Sequence, residues 1–407
     1  MRIRTKAAAV AVLLLTAACT AEPATPPAPS PVSPVLPVPP VPAFAADVQP
    51  KLTEAMARLQ LPGAIVYVDL PGRGTWLAAL GSATTDGRVP MSVDDHVRVG
   101  SVTKSLTAEV VLQLADQGKL GLDDPVAKYL PQVPGGDRIT LRSLLAMTAG
   151  LYNFTEDDYF NRLQDVDPAR AWSVDQALAT AFAHPPYFAP GAGFHYSNTN
   201  YEVLGLVAEK VGGAPLNSLY RDLVFSRLGM TSSVLPAYDD GTIPQPHPRG
   251  YMYGTNLENN DAYNAAISGN KAAAQLSVPA GVAPKDVTDL PVAGPASGGL
   301  ISTVRDMAIW AKALGTGQLL KPATQTARTA FDPAGSYGLG MEKAVGGLIG
   351  HNGAVPGFQT FVGYQPATGA SVVVVANLLL APNTYFGAAL PADSLAGVIQ
   401  QTLLPAG

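Results

Sequence analysis

Ser101 and Lys104 stand three residues apart in Gly100-Ser101-Val102-Thr103-Lys104, directly after the short strand-like run 97–99. On a helix, residues three apart stack on one face, so the lysine amine reaches the serine hydroxyl across a single turn. An ordinary lysine is protonated and is no base. Burial disfavours the ammonium and lowers its pKa, which makes a lysine beside a serine a proton acceptor and the serine a nucleophile. A serine at the first turn also sits among N–H groups without intrahelical partners, where a developing oxyanion is favoured.

Two more stretches carry groups suited to the same acyl chemistry. Tyr196 and Asn198 lie in Phe194-His195-Tyr196-Ser197-Asn198, after the turn 190–193. Tyr196 would be a second proton shuttle if flanking cations lowered its pKa, and Asn198 could orient Lys104 while hydrogen-bonding an acyl amide. His351 lies in Gly350-His351-Asn352-Gly353 at the end of a predicted strand, where glycine permits close approach of a ligand. It could stabilise Tyr196 as a tyrosinate, by charge or by hydrogen bonding, and the N–H of Ala354 could join that of Ser101 as an oxyanion hole. A second Ser-x-x-Lys copy, Ser268-Gly269-Asn270-Lys271, sits among asparagines and glycine and reads as a solvated loop.

The elements that must position these groups follow from periodicity. Val102, Leu106, Val110 and Leu114 recur every four residues, and Gly118 then supplies a stop, which predicts a helix with one buried face. A helix over 50–61 and strands over 63–70 and 76–80 open the domain. Helices are predicted over 141–147, 173–183, 202–211 and 216–228, so the middle of the chain is mostly helical. The segment 236–297 is irregular and suggests a cleft edge, with one helix over 262–276. A helix over 304–314, strands over 339–343, 348–351, 359–364 and 371–377, and a helix over 394–404 close the chain. Strands near both ends with helices between them describe an α+β fold. Its antiparallel sheet is completed by the termini, flanked by N- and C-terminal helices, and carries an all-helical insertion. The sheet part is expected at about 45–125 and 315–407, and the helical part at about 126–314.

Residues 1–19 have the layout of an export signal: Arg2, Arg4 and Lys6, then an uncharged, mostly apolar run, then Cys19. Leu15-Thr16-Ala17-Ala18 before it resembles a lipoprotein cleavage box, with Thr16 where leucine is usual. Cys19 is the only cysteine, so it has no disulfide partner, and a lipid anchor at Cys19 explains it. The expectation is an exported lipoprotein held at the cell membrane and facing the cell wall or periplasm. Mass spectrometry of the membrane fraction should find a mature chain beginning at modified Cys19, and an unmodified N-terminus elsewhere would refute the anchor. The Pro-rich stretch 20–42 reads as an extended spacer. Loss of the three basic signal residues leaves 23 against 31 acidic ones, so the formal charge moves from −5 to −8, which argues against nucleic acid as a partner. His96, His184, His195, His247 and His351 show no metal-ligand spacing, and no metal or cofactor is expected.

Ser101-x-x-Lys104, Tyr196-x-Asn198 and His351-x-Gly353, in that order, resemble the three signature boxes of the penicillin-recognising serine hydrolases. Tyrosine in the second box is similar to the class C β-lactamase and D-alanyl-D-alanine carboxypeptidase branch, and histidine in the third resembles the carboxypeptidase side. The resemblance implies a β-lactamase/transpeptidase-like fold over 45–407 and acyl transfer through Ser101. Lys104 and Tyr196 would move protons, Asn198 and His351 would complete the catalytic set, and Asn352 and Gly353 would bind substrate. It implies a carboxypeptidase-like monomer acting on cell-wall D-amino-acyl peptides. An esterase or class C-like β-lactamase and a non-catalytic penicillin-binding sensor are the alternatives. Two departures bear on substrate. Asn352 replaces the usual Thr or Ser of the third box, and Glu342 follows Tyr337-Gly338-Leu339-Gly340-Met341 where carboxypeptidase relatives can carry a basic residue for the substrate carboxylate. Lys343 could substitute only if the strand turned it inward.

Overall fold

The computed structural model describes residues 41–267, 270, 273–331, 337–385 and 389–404. Cys19, the signal-like run, most of the Pro-rich stretch, and Ser268 and Lys271 of the second Ser-x-x-Lys copy lie outside the described residues. Among the described residues no helix is long and apolar enough to cross a membrane.

The helix α1 (Ala45–Leu59) buries Val48, Leu52, Ala55, Met56 and Leu59, the spacing of one helical face. It begins five residues before the expected start at Pro50, because the stripe extends back to Ala45 and Val48 and the helix runs through the proline. A hairpin of β1 (Gly63–Leu70) and β2 (Gly74–Gly81) follows, and the short β3 (His96–Arg98) leads into α2 (Val102–Asp116). The helical region includes α3 (Asp158–Val166) and α4 (Asn198–Gly212), then Leu216–Tyr220 continued by a π-helical turn Arg221–Phe225. Two small pieces, β4 (Tyr251–Met252) and β5 (Lys285–Asp286), pair with each other and flank α5 (Asn256–Ile267). The strand β6 (Ile301–Thr303) pairs with β3 and runs into α6 (Val304–Thr316). The last strands are β7 (Glu342–Lys343), β8 (Ile349–Val355), β9 (Phe358–Gln365) and β10 (Ala370–Ala376), and α7 (Pro391–Leu403) closes the fold.

The main sheet has the order β2-β1-β10-β9-β8-β7, every pairing antiparallel. The last strand β10 therefore sits beside the first, with Val66 opposite Val374. Residues Val372 to Val375 are all buried because both faces are covered. Val372 and Val374 join the cluster formed with α1 and α7, and Val373 and Val375 join the one formed with α2 and α6. Burying each such valine contributes on the order of 1.5 kcal/mol or more. This is the α+β arrangement, with the helices of the insertion on the α2 side.

Three further expectations change. The helix expected at 262–276 starts at Asn256, where Asp165 of α3 accepts from the Asn256 and Leu257 amides and so caps it. The helix α3 was not expected, because its start reads as an acidic loop; Asp157 caps it by accepting from the Phe160 N–H at 2.6 Å. The strand expected from Leu339 shrinks to Glu342–Lys343, since Gly340 takes a positive φ of 77° and Gly338 donates to Met341 across a tight turn.

Candidate active site

Ser101 occupies the N-cap position of α2, as its place before the periodic run implies. The chain reaches it from β3 through Gly100, whose φ of 55° falls in the left-handed region that favours glycine. Thr103 holds the corner: its hydroxyl donates to the Gly100 carbonyl at 2.6 Å and accepts from the Leu300 N–H at 3.1 Å. The helix behind Ser101 is not one-sided as expected. Every residue from Val102 to Leu114 is buried, because α4, β8 and the short turn Pro295–Gly298 pack around it.

Lys104 is fully buried, with Nζ 2.9 Å from Ser101 Oγ, 2.6 Å from Asn198 Oδ1 and 2.8 Å from the Ser297 carbonyl. Asn198 Nδ2 donates to Thr155 Oγ1 at 2.8 Å, which fixes the amide with its oxygen toward the lysine. Burial lowers the Lys104 pKa to about 7, against the opposing pull of Glu202 and Glu342. The neutral amine has two hydrogens and one lone pair. Two of its three neighbours are carbonyl oxygens that only accept, so the lone pair is left for the Ser101 hydroxyl. Glu202 supports the set from behind, with its carboxylate accepting from the Ser297 N–H at 2.8 Å and its own pKa raised by burial to about 7.

Tyr196 places its ring 4.9 Å from Lys104 Nζ and its hydroxyl in hydrogen-bonding reach of Ser101. Burial raises its pKa well above the usual tyrosine value, and the Ser101 bond only partly offsets this. The expected tyrosinate is thus corrected to a neutral phenol. His351 is corrected as well. Its Nδ1 lies 2.6 Å from the Asn352 carbonyl, which only accepts, so Nδ1 carries the proton and Nε2 accepts from the Tyr337 hydroxyl at 2.9 Å. Burial lowers the His351 pKa to about 3, so the ring is neutral and both nitrogens are engaged away from Tyr196.

Gly353 brings β8 against the Gly100–Ser101 corner. A Cβ built on Gly353 would collide with the Val99 carbonyl oxygen and stand 2.8 Å from the Ser101 nitrogen; one on Gly100 would stand 2.7 Å from the Ala354 nitrogen. The two amides expected to hold an oxyanion are therefore neighbours. Asn352 departs from expectation: its side chain donates to Asp393 of α7 at 3.1 Å, on the opposite face of the sheet from His351. Glu342 does not line the cleft, and its carboxylate accepts from the Asn352 N–H at 2.9 Å. Lys343 is exposed and lies 4.8 Å over the Phe331 ring, so it supplies no cation to the site.

The serine opens into a cavity of about 280 Å³. Ser101, Asn198, Ser297 and Ala354 form one end; Met252, Val287, Leu290 and Val355 are among its apolar walls, and α3, α5 and β5 contribute Asp165, Asn256 and Lys285. A cleft with apolar walls and polar groups gathered at the nucleophile suits a small acyl substrate.

The protein-family model described as "Beta-lactamase" matches residues 48–392. The chain belongs to the beta-lactamase family. Among curated proteins it is similar to Esterase EstB of Burkholderia gladioli, 32% identical over 245 residues, which are 55% of this chain and 62% of EstB. The chain thus spans just under two thirds of that relative's length. Among solved structures it is similar to a D-stereospecific amidohydrolase from Streptomyces sp., with 30% identity, a TM-score of 0.69, and coverage of 82% of this chain and 94% of the other. It is also similar to the D-amino acid amidase of Ochrobactrum anthropi SV3, with 25% identity, a TM-score of 0.71, and coverage of 88% and 98%.

Three contributors to the site escaped the sequence reading. Ser297 acts through a backbone carbonyl, which no side-chain type encodes. Tyr337 entered the sequence reading only as the start of the stretch before Glu342. Glu202 did leave a signal, since it lies four residues after Asn198 and so on the same helical face.

Proposed function

We propose that this protein hydrolyses esters and D-amino-acyl amides through an acyl-enzyme at Ser101. The observation that carries the reading is the Lys104 contact with Ser101 Oγ at 2.9 Å, made by a buried amine whose other two bonds go to fixed carbonyls. Neutral Lys104 takes the Ser101 proton as Oγ bonds to the substrate carbonyl carbon. The Ser101 and Ala354 N–H groups hold the resulting oxyanion. Collapse expels the amine or alkoxide, which receives a proton from the Tyr196 hydroxyl, and the Lys104 ammonium then returns a proton to Tyr196. Water then attacks the ester and gives a proton to Lys104, which passes it to Ser101 Oγ as the acid leaves and Ser101 is freed.

The names of the similar proteins support an esterase or amidase over the carboxypeptidase that the third-box histidine suggests. So does the site: Lys343 points away and Asn352 binds Asp393, so neither offers a charge to a carboxylate beside the scissile bond. The test compares kcat/KM for a D-alanyl-D-alanine peptide, its C-terminal amide and a short p-nitrophenyl ester. The amide and ester should exceed the free acid by about tenfold or more, the size of one lost charge-assisted contact. Preference for the free acid would restore the carboxypeptidase reading.

A further inference from the structure

The cleft carries only two charged side chains, Asp165 and Lys285, among the described residues that line it. Asp165 is consumed by structure. Its Oδ1 accepts from the Asn256 N–H at 2.7 Å and from Asn256 Nδ2 at 2.9 Å, and its Oδ2 accepts from the Leu257 N–H at 3.1 Å. Those bonds cap α5 and tie it to α3. Lys285 has acidic neighbours in sequence that are also taken, but by another cation: Arg249 binds Asp286 at 2.6 Å and Asp289 at 3.1 Å. The strand geometry explains the division. Adjacent residues of a strand face opposite sides, so Lys285 and Val287 both line the cavity while Asp286 turns out to Arg249. The cleft is left with Lys285 as its one cation, while its one carboxylate, Asp165, is turned to the N–H groups that open α5.

The cleft that holds both Lys285 and the nucleophile has Met252, Val287, Leu290 and Val355 among its apolar walls. We infer that Lys285 is a specificity-determining residue that takes a carboxylate carried by the substrate at a distance from the scissile carbonyl, across an apolar spacer. This rests on Ser101 being the nucleophile. It differs from recognition of a carboxylate beside the scissile bond, for which the β7 and β8 side chains present no cation. Such a pair is part-solvated, so its contribution is modest and falls with ionic strength.

The experiment uses two matched ester pairs. One compares the p-nitrophenyl monoester of glutaric acid with p-nitrophenyl pentanoate, placing the charge on the acyl side. The other compares 4-acetoxybenzoate with 4-acetoxybenzamide, placing it on the leaving group. The anionic-to-neutral ratio of kcat/KM should stand at about fivefold or more in at least one pair at low salt. It should persist in Lys285→Arg, collapse in Lys285→Ala, invert in Lys285→Glu, and shrink at high salt. Ratios near one in both pairs, or a ratio unchanged by Lys285→Ala, would overturn the inference while leaving ester hydrolysis intact. Absence of hydrolysis of all four esters would instead overturn the proposed function.

Discussion

Lys104→Ala is expected to lower the acylation rate by about 10² or more, the usual contribution of a positioned base. The amine is the group closest to Ser101 Oγ, and both of its other bonds hold it there. The same residue sets the pH profile. Only the free amine accepts a proton, so activity in the native enzyme should rise as pH increases through about 7 and fall below it as Lys104 becomes charged. Glu202 and Glu342 are both raised to about 7 by burial and titrate in the same window. Glu342→Gln separates the assignments, because it should leave the rising limb in place. Stopped-flow acylation against pH reads both effects. A Lys104→Ala rate within a few-fold of the native one would remove the lysine from the mechanism.

Gly353→Ala should be nearly as damaging although it adds only a methyl group. That carbon would collide with the Val99 carbonyl oxygen, so β8 must withdraw from the Gly100–Ser101 corner. Withdrawal separates the Ser101 and Ala354 amides, and losing one oxyanion donor costs about 10²–10³ in kcat. Forcing the methyl in should also destabilise the fold by about 1–3 kcal/mol. Steady-state kinetics and a thermal melt on one preparation distinguish the two. Near-native kcat in a folded variant would show that these amides do not hold the reacting oxygen.

How far the sequence reaches depends on what kind of interaction carries each feature. The strand β10 was legible because five consecutive apolar residues leave little choice but a strand covered on both faces. The helix α3 was not, because its start depends on Asp157 capping and its packing on α5, both tertiary facts. Ser101, Lys104 and Asn198 were legible because their side chains meet directly. His351 was found, but its role was misread. The order of the three boxes implies that it approaches Tyr196, whose ring centroid is 6.4 Å away, yet cannot show that Tyr337 and the Asn352 carbonyl use both of its nitrogens. Asn352 was misassigned for a related reason, since a strand alternates faces and its face is fixed only once Asp393 packs beneath it.

The central claim is that one serine, Ser101, carries the acyl group. Treating the purified protein with a fluorophosphonate and mapping the adduct by peptide mass spectrometry tests it most directly. The account predicts a single adduct on Ser101, formed about 10² or more times slower in Lys104→Ala and absent in Ser101→Ala. An adduct on Ser268, or undiminished labelling of Ser101→Ala, would contradict it.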